Sequence, residues 1–203
     1  PLAIVTVDTK VVPFIVPSFI PFVNSSSSAF ASSSVRLFLG SSTLASNIFL
    51  YLFIKSELFL SKAKPTVGVI LGSGLGVYVD EIENKTIIPY EDIPGFHRTT
   101  VEGHQGRLIL GQVKGVEVAV LQGRYHVYEG HGLDEVVLPT RVLSLLGCEF
   151  LILTNAAGGI NSDYVPGDLV YIKDHINMTG RNPLIGPNIS EFGPRFPDMT
   201  QAY

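Results

Sequence analysis

The chain has 203 residues, of which 46% are apolar and 16% charged, and its 14 basic side chains against 18 acidic ones give a net charge of −4. A protein that grips the phosphate backbone of nucleic acid needs a basic excess, so this balance argues against a nucleic-acid partner. The single cysteine, Cys148, excludes an intrachain disulfide framework and a cysteine-rich zinc site. The histidines lack the spacing of a metal-binding motif, so no metal site is predicted.

The overall averages conceal two compositions that meet near residue 63. Residues 1–62 hold 13 serines and one glycine, whereas the other 19 of the 20 glycines and all five histidines follow. We therefore interpret residues 1–62 as a low-complexity N-terminal extension and residues 63–203 as the domain that carries the function. The proline-interrupted apolar run at 11–23 is too short for a transmembrane helix, so no membrane partner is predicted.

Two interpretations of the extension stay open, a targeting segment and a non-native addition. Lys10, the apolar run and the small residues at 29–31 imitate the three regions of a signal peptide, whereas Asp8 and the prolines argue against one. Without a targeting segment, the expected location is the cytoplasm. Residues 48–60 are apolar apart from two charges and are predicted to form a short helix that packs on the following domain.

From residue 63 the sequence alternates between short apolar runs and glycine-rich turns. Strands are predicted at 67–71, 107–113, 116–122, 150–154 and 169–172, with a hairpin turn at 114–115. Leu133–Leu146 is predicted to be a helix that Gly147 ends, with Pro139 causing a kink or a later start. These elements predict an α/β domain with a mixed, twisted β-sheet flanked by helices. The loop-like stretch after Asp174 predicts a domain that is incomplete at its C-terminus.

The first candidate site is the glycine turn 72–76, Gly-Ser-Gly-Leu-Gly, at the end of the first strand. Backbone N–H groups in such a turn can approach an anion, and Ser73 adds a hydroxyl donor. A dinucleotide-binding fingerprint needs a further glycine where this chain has Val77, which argues against an NAD-dependent enzyme. An ordinary strand-exit turn is the structural alternative.

The second candidate site follows the strand at 116–122. Arg124, His126 and Tyr128 alternate, so an extended continuation of the strand places a guanidinium, an imidazole and a phenol on one face. Such a set of donors suits an oxyanion and sugar hydroxyls. Glu129 is predicted to hold the imidazole of His126 in one tautomer or to keep it protonated. A polar surface with an incidental ion pair is the alternative.

Two further loops carry weaker signals. His104 lies between glycines in a loop, where a histidine is commonly a surface residue. Residues 155–159, Asn-Ala-Ala-Gly-Gly, offer backbone amides at the end of a buried strand, although small residues there also permit close packing. Cys148 is interpreted as a small buried residue and not as a nucleophile.

Taken together, these segments resemble the purine nucleoside phosphorylase family, in particular its trimeric branch. The resemblance covers about residues 65–203 and rests on segments that occur in the family's order, namely 72–76, 103–104, 123–130, 154–159, 174–177 and 186–197. It implies the family's phosphorylase-type nucleoside phosphorylase fold. It also implies inorganic phosphate as a co-substrate, with no metal or organic cofactor.

The resemblance assigns a role to each candidate residue. The groups that it assigns to phosphate binding are Ser73, His104, Arg124, His126 and the backbone amide of Ala156. The groups that it assigns to the substrate are Tyr128 at the ribose, Ala157 and Gly158 along the nucleoside, and Phe192 at the ribose pocket of the neighbouring subunit. His126 and Glu129 form the implied catalytic pair.

The implied reaction is the phosphorolysis of purine (deoxy)ribonucleosides to free base and (deoxy)ribose 1-phosphate in purine salvage, by a homotrimer when the chain is complete. The family's purine-recognising residues lie C-terminal to the matched region. The chain is therefore expected to hold most of the phosphate site and to have little or no phosphorylase activity. The alternative is a non-catalytic, phosphate-binding or degenerate homologue of the same fold.

Overall fold

The computed structural model describes residues 52–56, 62–99, 105–170, 172, 174, 176–198 and 200. Five strands form one sheet, and they are β1 (Val67–Leu71), β2 (Glu83–Pro89), β3 (Arg107–Val113), β4 (Val116–Gln122) and β5 (Phe150–Leu153). The strand order is β2-β3-β4-β1-β5. β1 pairs in parallel with β4 and β5, whereas β3 pairs antiparallel with β2 and β4. The predicted mixed sheet is thus confirmed.

The hairpin between β3 and β4 turns at the two residues that the sequence indicated. Lys114 and Gly115 both have a positive φ, at 50° and 80°. A two-residue turn with this handedness matches the right-handed twist of the strands that it joins. The register runs without a break from Arg107 opposite Gln122 to Val113 opposite Val116, so the turn fixes the pairing along the whole hairpin.

Two strand predictions differ from the structure. β2 was not predicted, because it is an edge strand whose first three residues are exposed and whose only fully buried residue is Ile88, so its sequence lacks an apolar run. The strand predicted at 169–172 is wrong, since residues 168–170 and 172 have no regular structure. A strand needs a neighbour to satisfy its backbone groups, and none of the described strands pairs with this segment.

One longer helix, α1 (Leu133–Leu145), follows the second candidate site. Its N-terminus is held by Glu135, whose Oε2 accepts the backbone N–H of Gly132 at 3.0 Å. Pro139 lies inside the helix and is buried, so the later start that it suggested is not observed. Gly147, with a φ of 99°, follows the helix as predicted. Short 3-10 helices occur at Gly76–Glu81, Tyr90–Asp92, Val127–Glu129 and Ser190–Phe192.

Apolar side chains cover both faces of the sheet. Along β1, Val69 and Leu71 point into one cluster with Val120, while Ile70 points into the other with Leu121. Successive side chains of a strand point to opposite faces, so a strand that is covered on both sides reads as a continuous apolar run. This is why the central strands were visible in the sequence.

Part of the N-terminal extension packs on this core. Residues 52–56 are helical, as predicted within 48–60, and Ile54 is 2% exposed in the same cluster as Ile70. The change of composition near residue 63 is therefore not a boundary in packing. The proline-rich run and the small residues at 29–31 lie outside the described residues. None of the helices that the structure describes is long and apolar enough to cross a bilayer.

The packing of residues 52–56 is testable with two neighbouring side chains. Ile54→Ala is expected to lower the free energy of unfolding by about 2–5 kcal/mol, because it leaves a cavity in the core. Leu52→Ala is the control, since Leu52 is 58% exposed and its loss is expected to cost under about 0.5 kcal/mol. Urea unfolding of the 203-residue chain measures both values, and equal midpoints for the two variants would contradict this packing.

Candidate functional site

Most of the candidate residues that the structure describes lie where three parallel strands end. β4, β1 and β5 are neighbours and run in the same direction, so their carboxyl ends meet at one edge of the sheet. Gly72 follows β1, the segment with Arg124 follows β4, and Thr154 and Asn155 follow β5. In open α/β sheets, ligands bind beyond the carboxyl ends of the strands. The topology thus brings together the glycine turn and two of the other candidate segments.

Gly72 is the point of closest approach between these segments. A Cβ atom on Gly72 would lie 2.6 Å from the carbonyl oxygen of Thr154, 2.9 Å from Nη1 of Arg124 and 2.9 Å from Cα of Asn155. No side chain fits in this space. The N–H of Gly72 donates a hydrogen bond to Oγ1 of Thr154 at 2.8 Å, so this amide of the glycine turn is bonded within the protein.

Arg124 is held by Thr154, the residue that also bonds to Gly72. Its Nη1 donates a hydrogen bond to the carbonyl oxygen of Thr154 at 2.7 Å, which orients the guanidinium. Burial lowers the pKa of Arg124, and its electrostatic interaction with Tyr128 acts in the opposite direction. An arginine stays protonated at neutral pH, so a positive charge is held at the strand ends.

His126, Glu129 and Tyr128 form a compact group next to Arg124. Oε2 of Glu129 lies 2.6 Å from Nδ1 of His126 and accepts the backbone N–H of His126 at 2.8 Å. The side chains of His126 and Glu129 are only 14% and 6% exposed. The rings of His126 and Tyr128 stack with their centroids 4.6 Å apart and an interplanar angle of 18°. The carboxylate therefore fixes the imidazole ring, and the phenol covers one of its faces.

The backbone conformation that brings these side chains together differs from the predicted one. Alternation along an extended strand was expected to align Arg124, His126 and Tyr128, but Val127–Glu129 is a 3-10 helix. The extended backbone ends at His126, whose φ and ψ are −121° and 146°. The tight turn that follows carries Glu129 back to His126, and an extended chain would have carried it away.

The other predicted site residues divide into three groups. Ser73, Ala156 and Gly158 are exposed and Ala157 is half-buried, all at the edge where β1 and β5 end. Phe192 lies in the last 3-10 helix, and the guanidinium of Arg141 in α1 lies over its ring, 5.5 Å from the centroid. His104 lies outside the described residues.

Two buried polar residues at the strand ends were given no role by the sequence analysis. Thr154 is 6% exposed and Gln122 is 5% exposed. Nε2 of Gln122 donates a hydrogen bond to the carbonyl oxygen of Gly76 at 3.0 Å, and Oε1 accepts one from Nε of Arg107 at 3.1 Å. The glycine turn is thus held at Gly76 by β4 and at Gly72 by Thr154. In the sequence, a polar residue at the end of an apolar run is the pattern that could have identified both residues.

A second polar group lies behind the site, around Tyr125. The Tyr125 hydroxyl donates to the carbonyl oxygen of His97 at 2.9 Å and accepts the backbone N–H of His97 at 2.8 Å. Glu135 contacts both His97, at 3.3 Å, and His131, at 3.1 Å. The backbone N–H of Gly132 is the main cause that lowers the pKa of Glu135. This group joins the loop at 97 to the start of α1.

The described residues also bear on metal binding and thiol chemistry. Among them, no three or more histidine, cysteine or acidic side chains are grouped in a way that could hold a metal ion. Cys148 is 1% exposed, and burial raises the pKa of its thiol to about 12. A thiol in this state is not a nucleophile at neutral pH, in agreement with its interpretation as a small buried residue.

The fold is that of the nucleoside phosphorylases. A family model described as the phosphorylase superfamily matches residues 66–203, and the chain belongs to this superfamily. It is 56% identical over 151 residues to purine nucleoside phosphorylase 1 of Bacillus subtilis and 60% identical over 139 residues to purine nucleoside phosphorylase 1 of Geobacillus stearothermophilus. These matches confirm the resemblance that the motifs indicated.

The matches cover a larger share of this chain than of its relatives. They include 74% and 68% of this chain but 55% and 51% of the two relatives, so the chain spans about half the length of the curated relatives it matches. The same holds for a solved structure, isoform 2 of purine nucleoside phosphorylase from Schistosoma mansoni in complex with cytosine and ribose-1-phosphate. It is 50% identical with a TM-score of 0.67, over 74% of this chain and 54% of that one.

The close approach at Gly72 predicts that even one methyl group is not tolerated there. Gly72→Ala is expected to destabilise the chain by more than about 1 kcal/mol, because the new Cβ overlaps backbone atoms of Thr154 and Asn155 and the strand ends must separate. Gly158→Ala is the matched control, since Gly158 is exposed and its Cβ would meet nothing within 4 Å. Thermal and urea unfolding measure both variants. Equal stability of the two would show that the strand ends lie further apart than described.

Proposed function

We propose that this protein catalyses the phosphorolysis of purine (deoxy)ribonucleosides, and that inorganic phosphate binds at the edge where β1, β4 and β5 end. The observation that carries the proposal is the meeting of Gly72 and Arg124 at Thr154, which bonds to the Gly72 N–H at 2.8 Å and to Nη1 of Arg124 at 2.7 Å. It occurs in a chain that is 56–60% identical to proteins named purine nucleoside phosphorylase. A half-buried arginine next to a glycine turn is a suitable site for a phosphate dianion.

Phosphate binding is the task that we assign to the strand ends. Arg124 supplies charge-assisted hydrogen bonds, which are about twice as strong as neutral ones. Ser73 supplies a hydroxyl and Ala156 a backbone amide, and His104 and His126 complete the proposed set. In the reaction, a phosphate oxygen forms a bond to C1′ while the glycosidic bond breaks and its electron pair leaves with the purine. Holding phosphate in line with C1′ supplies the entropic part of the catalysis.

We assign to Glu129 the task of orienting the imidazole of His126 and of holding it in one tautomer or keeping it protonated. With the carboxylate oxygen 2.6 Å from Nδ1, the imidazole is fixed and Nε2 is the nitrogen that faces away from Glu129. Tyr128, which is 76% exposed and stacked on His126, presents its phenol to the ribose. Ala157 and Gly158 line the nucleoside beyond it. No metal or organic cofactor takes part in the proposed reaction.

The whole protein is proposed to act as a homotrimer in the cytoplasm. In this assembly Phe192 reaches the ribose pocket of the neighbouring subunit. Within one chain the guanidinium of Arg141 lies over its ring, and both side chains are half-buried. Residues 63–203 are proposed to carry these functions, with 1–62 as an extension whose helical part at 52–56 adds to the core.

Phosphate binding by the 203-residue chain is the primary test. Arg124→Ala is expected to weaken phosphate binding by about tenfold or more, because a hydrogen bond to a charged group is worth roughly 1.5–3 kcal/mol and 1.4 kcal/mol corresponds to tenfold. Arg98→Ala is the matched control, since the Arg98 side chain is 82% exposed and pairs with Glu91. Isothermal titration calorimetry with inorganic phosphate measures the three affinities. Equal affinities for the two variants would exclude Arg124 from the phosphate site.

The reaction itself is tested by incubating the chain with inosine, with and without phosphate, and measuring hypoxanthine. These 203 residues are expected to show little or no turnover, because the family's purine-recognising residues lie C-terminal to the matched region. Any hypoxanthine that forms is expected to require phosphate and to be lost in Arg124→Ala but not in Arg98→Ala. Release without phosphate would contradict a phosphorylase, and turnover near that of the full-length relatives would contradict the expectation of a largely inactive chain.

A further inference from the structure

Thr154 contacts both the glycine turn and Arg124 through hydrogen bonds. We propose that Thr154 is a positioning residue of the phosphate site, whose hydroxyl and carbonyl together set the distance between the turn after β1 and the guanidinium after β4. This proposal rests on the proposed function, because it assigns a role within the same site. Thr154 itself is 6% exposed and does not need to touch phosphate.

The hydroxyl of Thr154 acts both as a donor and as an acceptor, toward β1 and the turn that follows it. Its hydroxyl donates to the carbonyl oxygen of Ile70 at 3.0 Å and accepts the N–H of Gly72 at 2.8 Å. The N–H of Thr154 also donates to the carbonyl of Ile70 at 3.0 Å, one residue beyond the last ladder pair between β1 and β5. The first residue of the glycine turn is thereby fixed to the end of β5.

The main chain of Thr154 performs the second part of the task. Its carbonyl oxygen accepts the hydrogen bond from Nη1 of Arg124 at 2.7 Å. One residue therefore holds a backbone amide of the turn with its side chain and the guanidinium with its backbone. Gly72 permits this geometry because it has no Cβ, which would lie 2.6 Å from the same carbonyl oxygen.

This arrangement explains why a hydroxyl is needed at position 154. Valine has nearly the shape of threonine but neither accepts the N–H of Gly72 nor donates to Ile70. Gly72 is buried, so its N–H would lose its partner away from water, and the turn would shift to recover one. A phosphate that contacts both the turn and Arg124 then binds to groups that are no longer held at a fixed separation.

A purely structural role for Thr154 makes a different prediction. If the role is purely structural, Thr154→Val lowers the stability of the protein but leaves the phosphate affinity of the folded molecules unchanged. The two roles are therefore separated by measuring affinity well below the unfolding midpoint, together with the midpoint itself. Ile109→Val is the control for lost stability, because Ile109 is fully buried in the cluster on the other face from Ile70 and its truncation leaves all hydrogen bonds intact.

The experiment compares four forms of the 203-residue chain by calorimetric titration with inorganic phosphate. Thr154→Val is expected to bind phosphate about tenfold more weakly than the wild type. Thr154→Ser, which keeps the hydroxyl, is expected to bind phosphate within about twofold of the wild-type affinity. Ile109→Val is expected to bind phosphate equally well but to have a lower unfolding midpoint. Equal affinity of Thr154→Val and the wild type would overturn the positioning role and leave the proposed function standing. A wild type that does not bind phosphate would overturn both.

A measurement on the wild type keeps the proposal testable if Thr154→Val does not fold. The hydrogen bond to the Thr154 hydroxyl predicts that the Gly72 amide exchanges its hydrogen slowly, and that phosphate does not increase this exchange. Hydrogen exchange followed by NMR gives the rate for this single amide. Exchange as fast as that of an exposed loop amide would show that the hydroxyl does not hold the turn, and the positioning role would be wrong.

Discussion

Three parallel strand ends approach one another so closely at Gly72 that no side chain can stand between them, and the site depends on this contact. The carbonyl oxygen of Thr154 and the guanidinium of Arg124 both lie within 3 Å of where a Cβ would be. The contact follows from the order β4-β1-β5, which puts β1 between the two strands that deliver the other groups. A parallel arrangement is what aligns their carboxyl ends.

Buried polar groups hold the loops that leave these strand ends. Gln122 bonds to the carbonyl of Gly76, Thr154 to the amide of Gly72, and the Tyr90 hydroxyl donates to the carbonyl oxygen of Gly123 at 2.8 Å. Buried polar atoms are costly without partners, so each of these bonds ties a loop to one position. The charged side chains at the site are therefore carried by loops with fixed ends, which is the condition for preorganised binding of an anion.

The candidate site shows where local patterns are informative and where they fail. The residue types at Arg124, His126 and Tyr128 indicated an oxyanion and sugar-hydroxyl site, and their order with the glycine turn indicated the family. Their spacing indicated an extended strand, but the 3-10 turn at Val127–Glu129 replaces it. Period-two alternation assumes that the strand continues, and a strand continues only where a neighbour pairs with it. β1 ends at Leu71 and the antiparallel β3 begins at Arg107, so β4 has neither neighbouring strand beside it after Gln122.

The sequence by itself determined the four strands with continuous apolar runs, α1 with its glycine stop, the positive φ of the hairpin turn and the chemical types at the site. These depend on residues close together in the chain. Only the tertiary structure showed β2, the absence of a strand at 169–172 among the described residues, the core position of Ile54 and the hydrogen bonds of Thr154 with Gly72 and Arg124. Gly72 and Thr154 are 82 residues apart, and no local pattern encodes a hydrogen bond over that separation. It forms because the pairing of β1 with β5 brings their ends together.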